Sequence, residues 1–303
     1  MKQAFSASKL LTAVSAFVMS IIIMLATHSQ VSELRAISTD LTIDDTSPFI
    51  AEHAVIIPYR NRSYHLERFK EEMGPYLRRN FPNDRLSLWI IEQADDQLFN
   101  RGWLANVGIA QVGLAQPHCQ CIIFHDVDLI PELDGVPYNQ CNLPSHLSSQ
   151  LEHFRWGLPY QKYFGGVVTM HMDHWRKING FSNDYVGWGG EDDDLYERIR
   201  INDLLEEPHG TIHRPPQGKG RFKTISQSSN YHPQGMRGKE EYAHSLTILE
   251  EMRRNSDRWK TDGLLDMHYT IIEHKTEMHL SMFASVHHIT CTPEDIRVGS
   301  GSK

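Results

Sequence analysis

Two segments of this chain carry acidic side chains with the type and spacing of a chemical site. Four consecutive acids, Glu191–Asp194, follow the Gly- and Trp-rich turn Tyr185–Gly190. Like charges this close repel one another, so they predict a place where a cation or a proton donor offsets the repulsion. The second segment, Cys121–Asp128, has a strand-like composition and ends in Asp126 and Asp128. In a strand, two residues separated by one position point to the same face, which predicts a divalent-cation site at a sheet edge.

The pattern of apolar residues predicts the elements that position these acids. Short apolar runs indicate strands at 54–58, 86–91 and 122–129, and apolar residues at helical spacing indicate helices at 65–79 and 103–115. Strands that alternate with helices predict an α/β fold with a largely parallel sheet. Ligands of such sheets bind beyond the carboxyl ends of the strands, which is where Asp126 and Asp128 fall.

Composition and absent motifs exclude several classes of function. The net charge of −8 argues against a general nucleic-acid-binding protein, which needs a basic surface for phosphate contacts. The sequence has no GxGxxG, GxxxxGK[ST] or GxSxG motif, so dinucleotide, P-loop and serine-hydrolase functions lose their usual support. Its four cysteines, Cys119, Cys121, Cys141 and Cys291, are consistent with an oxidising compartment and do not form the paired motifs of a zinc site.

The N-terminus predicts a membrane anchor. Residues 10–27 are an uncharged apolar run that is just long enough to cross a bilayer. Lysines precede this run and acids follow it, so the residues 1–9 are expected to be a cytoplasmic tail. The polar residues 28–52 are expected to form a stem, and residues 53–303 a lumenal domain. A cleaved secretory signal is the alternative, and it also places the domain outside the cytosol.

Six ordered motifs resemble the β-1,4-galactosyltransferases, glycosyltransferase family 7. Each motif alone is short, but their order and spacing are those of the family over nearly the whole predicted lumenal part. The motifs are Ile56–Arg62, Phe99–Arg101 with Asn106–Gly108, Phe124–Pro131, Tyr163–Gly166, Asn179–Phe181 and Gly187–Asp194. The resemblance implies a GT-A type, Rossmann-like mixed sheet with a UDP-sugar donor, a glycan acceptor and Mn²⁺ or another divalent cation. It also implies a single-pass type II Golgi membrane protein.

The resemblance implies a donor subsite around the predicted cation. A hard cation held by Asp128 neutralises the charge that develops on the departing diphosphate. Arginines after the first strand suit phosphate or uracil. The alternative for Arg62 is an ordinary ion pair with an acid. The donor residues implied are Pro58, Arg60, Arg62, Phe99, Arg101, Asp126, Tyr163 and Gly166.

Catalysis and acceptor binding are assigned to the acidic segment Glu191–Asp194. By resemblance, Asp192 is the general base that takes the proton of the acceptor hydroxyl. Trp188, Glu191 and Asp193 bind the acceptor. A solvated acidic helix start is the alternative, but it does not explain the glycines and tryptophan before it.

Two further features follow from the resemblance. A bulky Tyr163 leaves room for a hydroxyl at C2 of the sugar and crowds an N-acetyl group, so it favours UDP-galactose; a core aromatic is the alternative. Cys121 and Cys141 correspond to a family disulfide that brackets Asp126 and Asp128, whereas Cys119 and Cys291 have no such assignment.

The sequence departs from the family at the predicted metal site and on the acceptor side. By resemblance, Gln227 occupies the position of a metal-binding His, and Thr224 that of a Met or another residue. An amide oxygen can replace the imidazole, with weaker binding or a shift towards magnesium, and His232 is the alternative ligand. The segment Gly238–Tyr242 lacks the Arg-Phe pair of family members that use N-acetylglucosamine, and Val186 replaces a Trp, which leaves the acceptor open.

The sequence therefore predicts a membrane-anchored, metal-dependent, inverting galactosyltransferase that forms a β-1,4 linkage. Two alternatives stay open. One is transfer of N-acetylgalactosamine by the same residues. The other is a non-catalytic sugar-binding relative that has lost turnover with the metal-binding His.

Overall fold

The computed structural model describes residues 52–81, 86–206, 208, 210–226, 239–278 and 285–294. The predicted anchor 10–27, the tail, almost all of the stem, and the residues Gln227 and His232 lie outside these ranges and stay predictions. Within the described ranges, no helix has both the length and the apolar character needed to span a membrane.

A seven-stranded mixed sheet forms the centre of the α/β fold. Its strands are β1 (His53–Tyr59), β2 (Leu86–Gln93), β3 (Cys121–His125), β5 (Ser145–His146), β7 (Val167–His171), β9 (Tyr269–Met278) and β10 (Ser285–Pro293). They are arranged in the order β5-β7-β3-β1-β2-β10-β9. A second sheet has the order β4-β8-β6, built from β4 (Leu129–Pro131), β6 (Gln150–Leu151) and β8 (Arg221–Thr224).

Five α-helices accompany these strands in the described residues. They are α1 (Ser63–Asn80), α2 (Arg101–Ala115), α3 (Met172–Lys177), α4 (Glu191–Ile201) and α5 (Lys239–Arg254). Short 3-10 turns lie at Glu152–Phe154, Arg258–Lys260 and Leu264–Asp266.

The sheet is parallel at its centre and antiparallel towards both edges. β3, β1, β2 and β10 pair in parallel, whereas β7 and β9 pair antiparallel with their inner neighbours. The prediction of a largely parallel sheet is therefore correct only for the central strands. All seven residues of β1 are buried, as expected for a strand with helices on both faces.

One helix covers each face of the central strands. The α1 residues Leu66, Phe69 and Met73 are buried in one apolar cluster, at the predicted helical spacing. α2 packs in the other cluster, and it approaches β1 so closely that a Cβ at Gly108 would lie 2.5 Å from Cγ2 of Ile56. Glycine is therefore required at position 108 for this contact.

The predicted strand 122–129 is divided into two strands. β3 ends at His125, the residues up to Asp128 form a turn, and β4 begins at Leu129 in the other sheet. The two acids thus lie in a turn, and the expectation that they share one face of a strand is wrong. A strand ending here allows the chain to leave the central sheet at its carboxyl edge, and Leu129 N–H donates to the carbonyl of Asp126 at 3.3 Å.

Candidate active site

A cleft of about 890 Å³ opens at the carboxyl ends of β1, β2 and β3, next to the first turn of α4. The turns after these parallel strands meet at one edge of the sheet, as such turns do in α/β folds. Every predicted donor, acceptor, catalytic and metal residue within the described part of the chain lines this cleft: Pro58, Arg60, Arg62, Phe99, Arg101, Asp126, Asp128, Tyr163, Gly166, Trp188, Glu191, Asp192 and Asp193. The structure brings these residues together, and the role of each stays a prediction.

In the turn after β3, Asp128 forms an ion pair with Arg62. Arg62 Nη1 donates to Oδ2 of Asp128 at 2.9 Å, and both side chains are partly buried. Burial and the neighbouring Asp126 carboxylate raise the pKa of Asp128, and Arg62 opposes this shift. The alternative considered for Arg62, pairing with an acid, therefore holds in part, but the acid is the predicted metal ligand and the pair lies in the cleft.

Arg101 connects the two acidic segments. Its Nε and Nη2 donate to Oδ1 of Asp126 at 2.9 and 2.7 Å, and its Nη1 lies 3.4 Å from Oε1 of Glu191. The guanidinium also lies over the ring of Phe124, with 4.3 Å between Cζ and the ring centroid. Burial alone would lower the pKa of Arg101, but the carboxylates of Asp126 and Glu191 outweigh it and raise this pKa.

Arg60 lines the cleft and is held by main-chain carbonyl groups. Its Nη1 donates to the carbonyl oxygen of Gln97 at 2.5 Å and to that of Asp95 at 3.5 Å. Its Cζ lies 5.4 Å from the centroid of the Phe99 ring. This arrangement presents a fixed cationic and aromatic surface beside Pro58, which suits a planar or anionic ligand.

The carboxylate of Asp128 suits a hard divalent cation that also takes ligands from a bound anion. Asp128 offers carboxylate oxygen, the ligand type such cations prefer. Within the described ranges, no three His, Cys, Asp or Glu side chains converge to hold a metal ion. A cation at Asp128 would therefore take further ligands from a bound diphosphate or from the chain beyond Ser226.

Three glycines set the backbone conformation of the turn that leads into α4. Gly187, Gly189 and Gly190 have φ of 81°, 92° and 96°, a region that side-chain-bearing residues rarely adopt. The turn leaves Trp188 42% exposed at the cleft. The four acids then occupy the first turn of α4, where the helix dipole favours negative charge.

Asp192 and Asp194 are the buried acids of this turn, and of the two only Asp192 lines the cleft. Burial, followed by the charges of Glu191 and Asp193, raises the pKa of Asp192 to about 8. Its Oδ1 accepts a hydrogen bond from the backbone N–H of Asp193 at 3.0 Å. A carboxyl group with a pKa close to the working pH suits proton transfer.

The floor of the cleft between Asp192 and Tyr163 is a glycine. A Cβ at Gly165 would lie 2.6 Å from the Tyr163 hydroxyl and 2.9 Å from Oδ2 of Asp192. Tyr163 and Asp192 therefore face the same small volume. Arg214 fixes the main chain of the tyrosine, since its Nη2 donates to the Tyr163 carbonyl at 3.0 Å.

Several cleft residues were not predicted from the sequence. The Tyr160 hydroxyl donates to the Asp193 carboxylate, and its ring packs edge-on against Tyr163 with 5.6 Å between centroids. His153 Nδ1 lies 2.9 Å from Oγ1 of Thr224 at the mouth of the cleft. The remaining unpredicted aromatic residues at the cleft are Phe154 and Tyr242.

A disulfide joins Cys121 to Cys141, with 5.7 Å between the Cα atoms, and the loop it closes contains Asp126 and Asp128. This is the pair implied by the resemblance. Cys119 and Cys291 are buried thiols in the structure, and burial raises the pKa of each to about 12.

Two family models match adjacent parts of the chain. The model described as the N-terminal region of glycosyl transferase group 7 matches residues 41–142. The model described as the N-terminal domain of galactosyltransferase matches residues 145–228. Together the matches cover more than half of the chain and include every predicted site residue.

Known proteins with similar sequences are β-1,4-galactosyltransferases. The chain is 35% identical over 221 residues to β-1,4-galactosyltransferase 3 of Cricetulus griseus, covering 72% of this chain and 51% of that protein. It is 37% identical over 219 residues to β-1,4-galactosyltransferase 4 of Rattus norvegicus, covering 72% and 58%. The aligned part thus spans about half the length of these relatives.

Solved structures with a similar fold include the catalytic domain of Drosophila β-1,4-galactosyltransferase 7 in complex with xylobiose. The TM-score is 0.64 and the identity 25%, with 81% of this chain and 95% of that chain covered. A variant of the same domain, with the same similarity, was solved with manganese, UDP-Gal and xylobiose.

Proposed function

This chain belongs to the β-1,4-galactosyltransferase family, glycosyltransferase group 7, and we propose that it transfers galactose from UDP-galactose to a hydroxyl group of a glycan acceptor in β-1,4 linkage. One observation carries the proposal. One cleft is lined both by the acidic, cation-compatible turn that contains Asp128 and by Asp192, a buried carboxyl of raised pKa.

The donor side supports binding of a nucleoside diphosphate sugar. Arg60 and Arg62 offer guanidinium groups to the diphosphate, and the Phe99 ring offers a face for the base. The proposed Mn²⁺ ligands are the carboxylate of Asp128 and the side-chain amide oxygen of Gln227. Such a cation, when bound, offsets the negative charge that builds on the leaving diphosphate.

Asp192 is the proposed general base. Its Oδ2 takes the proton of the acceptor hydroxyl as the acceptor oxygen forms a bond to the anomeric carbon of galactose. The bond from that carbon to the diphosphate oxygen breaks, and the electron pair leaves with UDP. Attack from the side opposite the leaving group inverts the configuration at the anomeric carbon. Asp193, Glu191 and Trp188 orient the acceptor, with the exposed indole as a face for a sugar ring.

Tyr163 is the proposed donor selector. Its hydroxyl and the carboxylate of Asp192 both face the space above Gly165. Its main-chain carbonyl accepts a hydrogen bond from Arg214. A fixed aromatic ring here limits the space beside C2 of the donor sugar, which favours galactose over N-acetylgalactosamine. The aromatic surface of Trp188, Tyr160 and Tyr242 supports an acceptor that stacks its sugar ring.

A UDP-release assay tests the proposal on the purified protein with Mn²⁺. UDP-galactose and UDP-N-acetylgalactosamine are compared as donors, and sugars ending in N-acetylglucosamine or xylose as acceptors, the last because of the xylobiose complex of the Drosophila relative. Faster release with UDP-galactose plus an acceptor supports the proposal. Faster release with the N-acetylated donor supports the first alternative, and sugar binding without release of UDP supports the non-catalytic one.

The proposed location is the Golgi membrane, with residues 10–27 as the anchor and the catalytic domain in the lumen. The family membership and the uncharged run in the sequence support it. Protease protection of a C-terminal tag in sealed Golgi vesicles tests it. Digestion of the tag without detergent would exclude a lumenal domain.

A further inference from the structure

Two histidines and a threonine converge on the hairpin formed by β9 and β10, away from the residues that line the cleft. His287 is paired with Thr276 in the antiparallel register, and His274 lies two residues before Thr276 on the same side of β9. Nε2 of His274 and Nδ1 of His287 are 3.2 Å apart, and Oγ1 of Thr276 lies 3.3 Å from each nitrogen. The three atoms form a nearly equilateral triangle.

The size of this triangle matches a coordination sphere. A tetrahedral Zn²⁺ ion with metal–ligand distances of about 2.0–2.1 Å separates its ligand atoms by about 3.3 Å. All three contacts also meet hydrogen-bond geometry, and a bound ion would replace these hydrogen bonds. We propose that His274, Thr276 and His287 bind one divalent transition-metal ion of the zinc type, with water as the fourth ligand.

The position of His287 is fixed as that of a metal ligand would be. Its ring stacks on Trp89, with 3.8 Å between centroids and an angle of 8° between the planes. Its Nε2 lies 2.9 Å from Oγ of Ser285, so this hydroxyl can accept the Nε2 proton and leave the Nδ1 lone pair directed at the triangle. Histidine ligands usually have their second nitrogen held in this way.

Since β9 is an edge strand of the sheet and His274 is exposed, an ion can reach the site from solvent. Bound there, it would clip the edge strand to β10.

The matched control is the neighbouring residue His288. It alternates to the other face of β10, where its Nε2 lies 2.7 Å from Oε2 of Glu92. His274→Gln and His288→Gln therefore each remove one imidazole from the same hairpin, but only the first removes a proposed ligand. Thr276→Val removes the hydroxyl and retains the shape of the side chain.

Zinc titration by calorimetry, with Zn²⁺ alone and no nucleotide, tests the site. We expect wild type and His288→Gln to bind one zinc ion with equal affinity. His274→Gln should weaken this binding by at least the roughly 10- to 100-fold that loss of an outer-shell partner costs. Zn²⁺ should raise the Tm of wild type but not that of His274→Gln. Asp128→Asn, which alters the cleft, should retain the site.

Equal zinc affinity in wild type and His274→Gln would overturn the proposal, as would an equal loss in His288→Gln. Absence of saturable zinc binding to wild type would also overturn it. If His274→Gln does not fold, Thr276→Val decides, with unchanged zinc affinity as the contrary result. These outcomes do not depend on the transferase reaction.

Discussion

Replacement of Asp192 by Asn is expected to lower turnover and raise stability at the same time. The amide cannot take a proton from the acceptor, so kcat should fall by about 100-fold or more. The same change removes a buried carboxyl that is crowded by Glu191 and Asp193. An uncharged side chain of the same shape should therefore stabilise the folded state.

The size of the stability effect follows from the pKa of Asp192. It is 3.8 for an ordinary Asp and about 8 in the folded chain. Between these values the folded state binds more protons than the unfolded state, so the free energy of unfolding falls as pH rises, by at most about 1.4 kcal/mol per pH unit. At pH 7 this gives an upper bound of about 4 kcal/mol. Asn does not titrate, so the stability gain should grow from pH 5 to pH 8.

Denaturant unfolding at pH 5, 7 and 8 measures the gain, and steady-state kinetics over the same range measures turnover. The kcat/KM of the wild type should rise with pH and level off above about 8, where Asp192 becomes mostly ionised. Asp134→Asn is the control, because Arg79 and Asn80 lower the pKa of Asp134 to about 2 at an exposed site outside the cleft. The stability it contributes is present above pH 3.8 and is lost towards pH 2, so Asp134→Asn should not stabilise and should leave turnover unchanged.

Two results would refute the reasoning on Asp192. Turnover of Asp192→Asn within about tenfold of wild type would exclude it as the general base. A free energy of unfolding that is equal to wild type at all three pH values would show that the carboxyl is not crowded in the folded state.

The other predictions concern the donor, the metal and the disulfide. Tyr163→Leu should raise the rate with UDP-N-acetylgalactosamine relative to UDP-galactose in a competition assay, and an unchanged ratio would mean that Tyr163 only fills the core. Gln227→His should tighten Mn²⁺ binding by roughly the 1 to 3 kcal/mol of a good charged-site interaction, and so lower the half-saturating Mn²⁺ concentration for activity. An equal concentration in both proteins would exclude Gln227 as a ligand and make His232 the next candidate. Arg62→Gln should tighten Mn²⁺ binding without donor by up to about fivefold, measured by electron paramagnetic resonance, because it removes the partly exposed ion pair to Asp128; weaker binding would show that Arg62 does not compete with the metal. Cys141→Ser should lower the free energy of unfolding by about 2–4 kcal/mol in denaturant titrations, since it opens a covalent loop, and an unchanged value would show that the disulfide does not constrain the unfolded chain.

The ordered motifs predicted the residues at the cleft well, because four of the six motifs lie at the end of a strand or the start of a helix. The apolar spacing in α1 and the buried run of β1 also predicted these elements. The division of 122–129 was not predictable from composition, since Leu129 and Ile130 continue the apolar pattern of β3. Only pairing with β8 shows that they belong to another sheet.

The unpredicted cleft residues lacked a local signal. Tyr160 and His153 lie between short strands, in a segment without regular periodicity. Their position depends on contacts with Asp193 and Thr224, which are distant in sequence. The proximity of His274 and His287 was also not predictable from the sequence. An antiparallel register, unlike a helical repeat, does not fix the sequence separation of the residues that it joins.

The position of Arg101 explains why the two acidic segments are found in one cleft. Asp126 follows β3 and Glu191 begins α4, and each carboxylate would be costly at this partly buried edge without a cation. Arg101 is the first residue of α2. The side chain of the N-cap residue Asn100 accepts a hydrogen bond from the backbone N–H of Trp103 at 2.8 Å, which fixes the main chain that carries Arg101. One guanidinium thus contacts both carboxylates and links the turn after β3 to the first turn of the helix that carries Asp192. The turn that contains Asp126 and the acidic turn that begins α4 are therefore positioned by the same side chain.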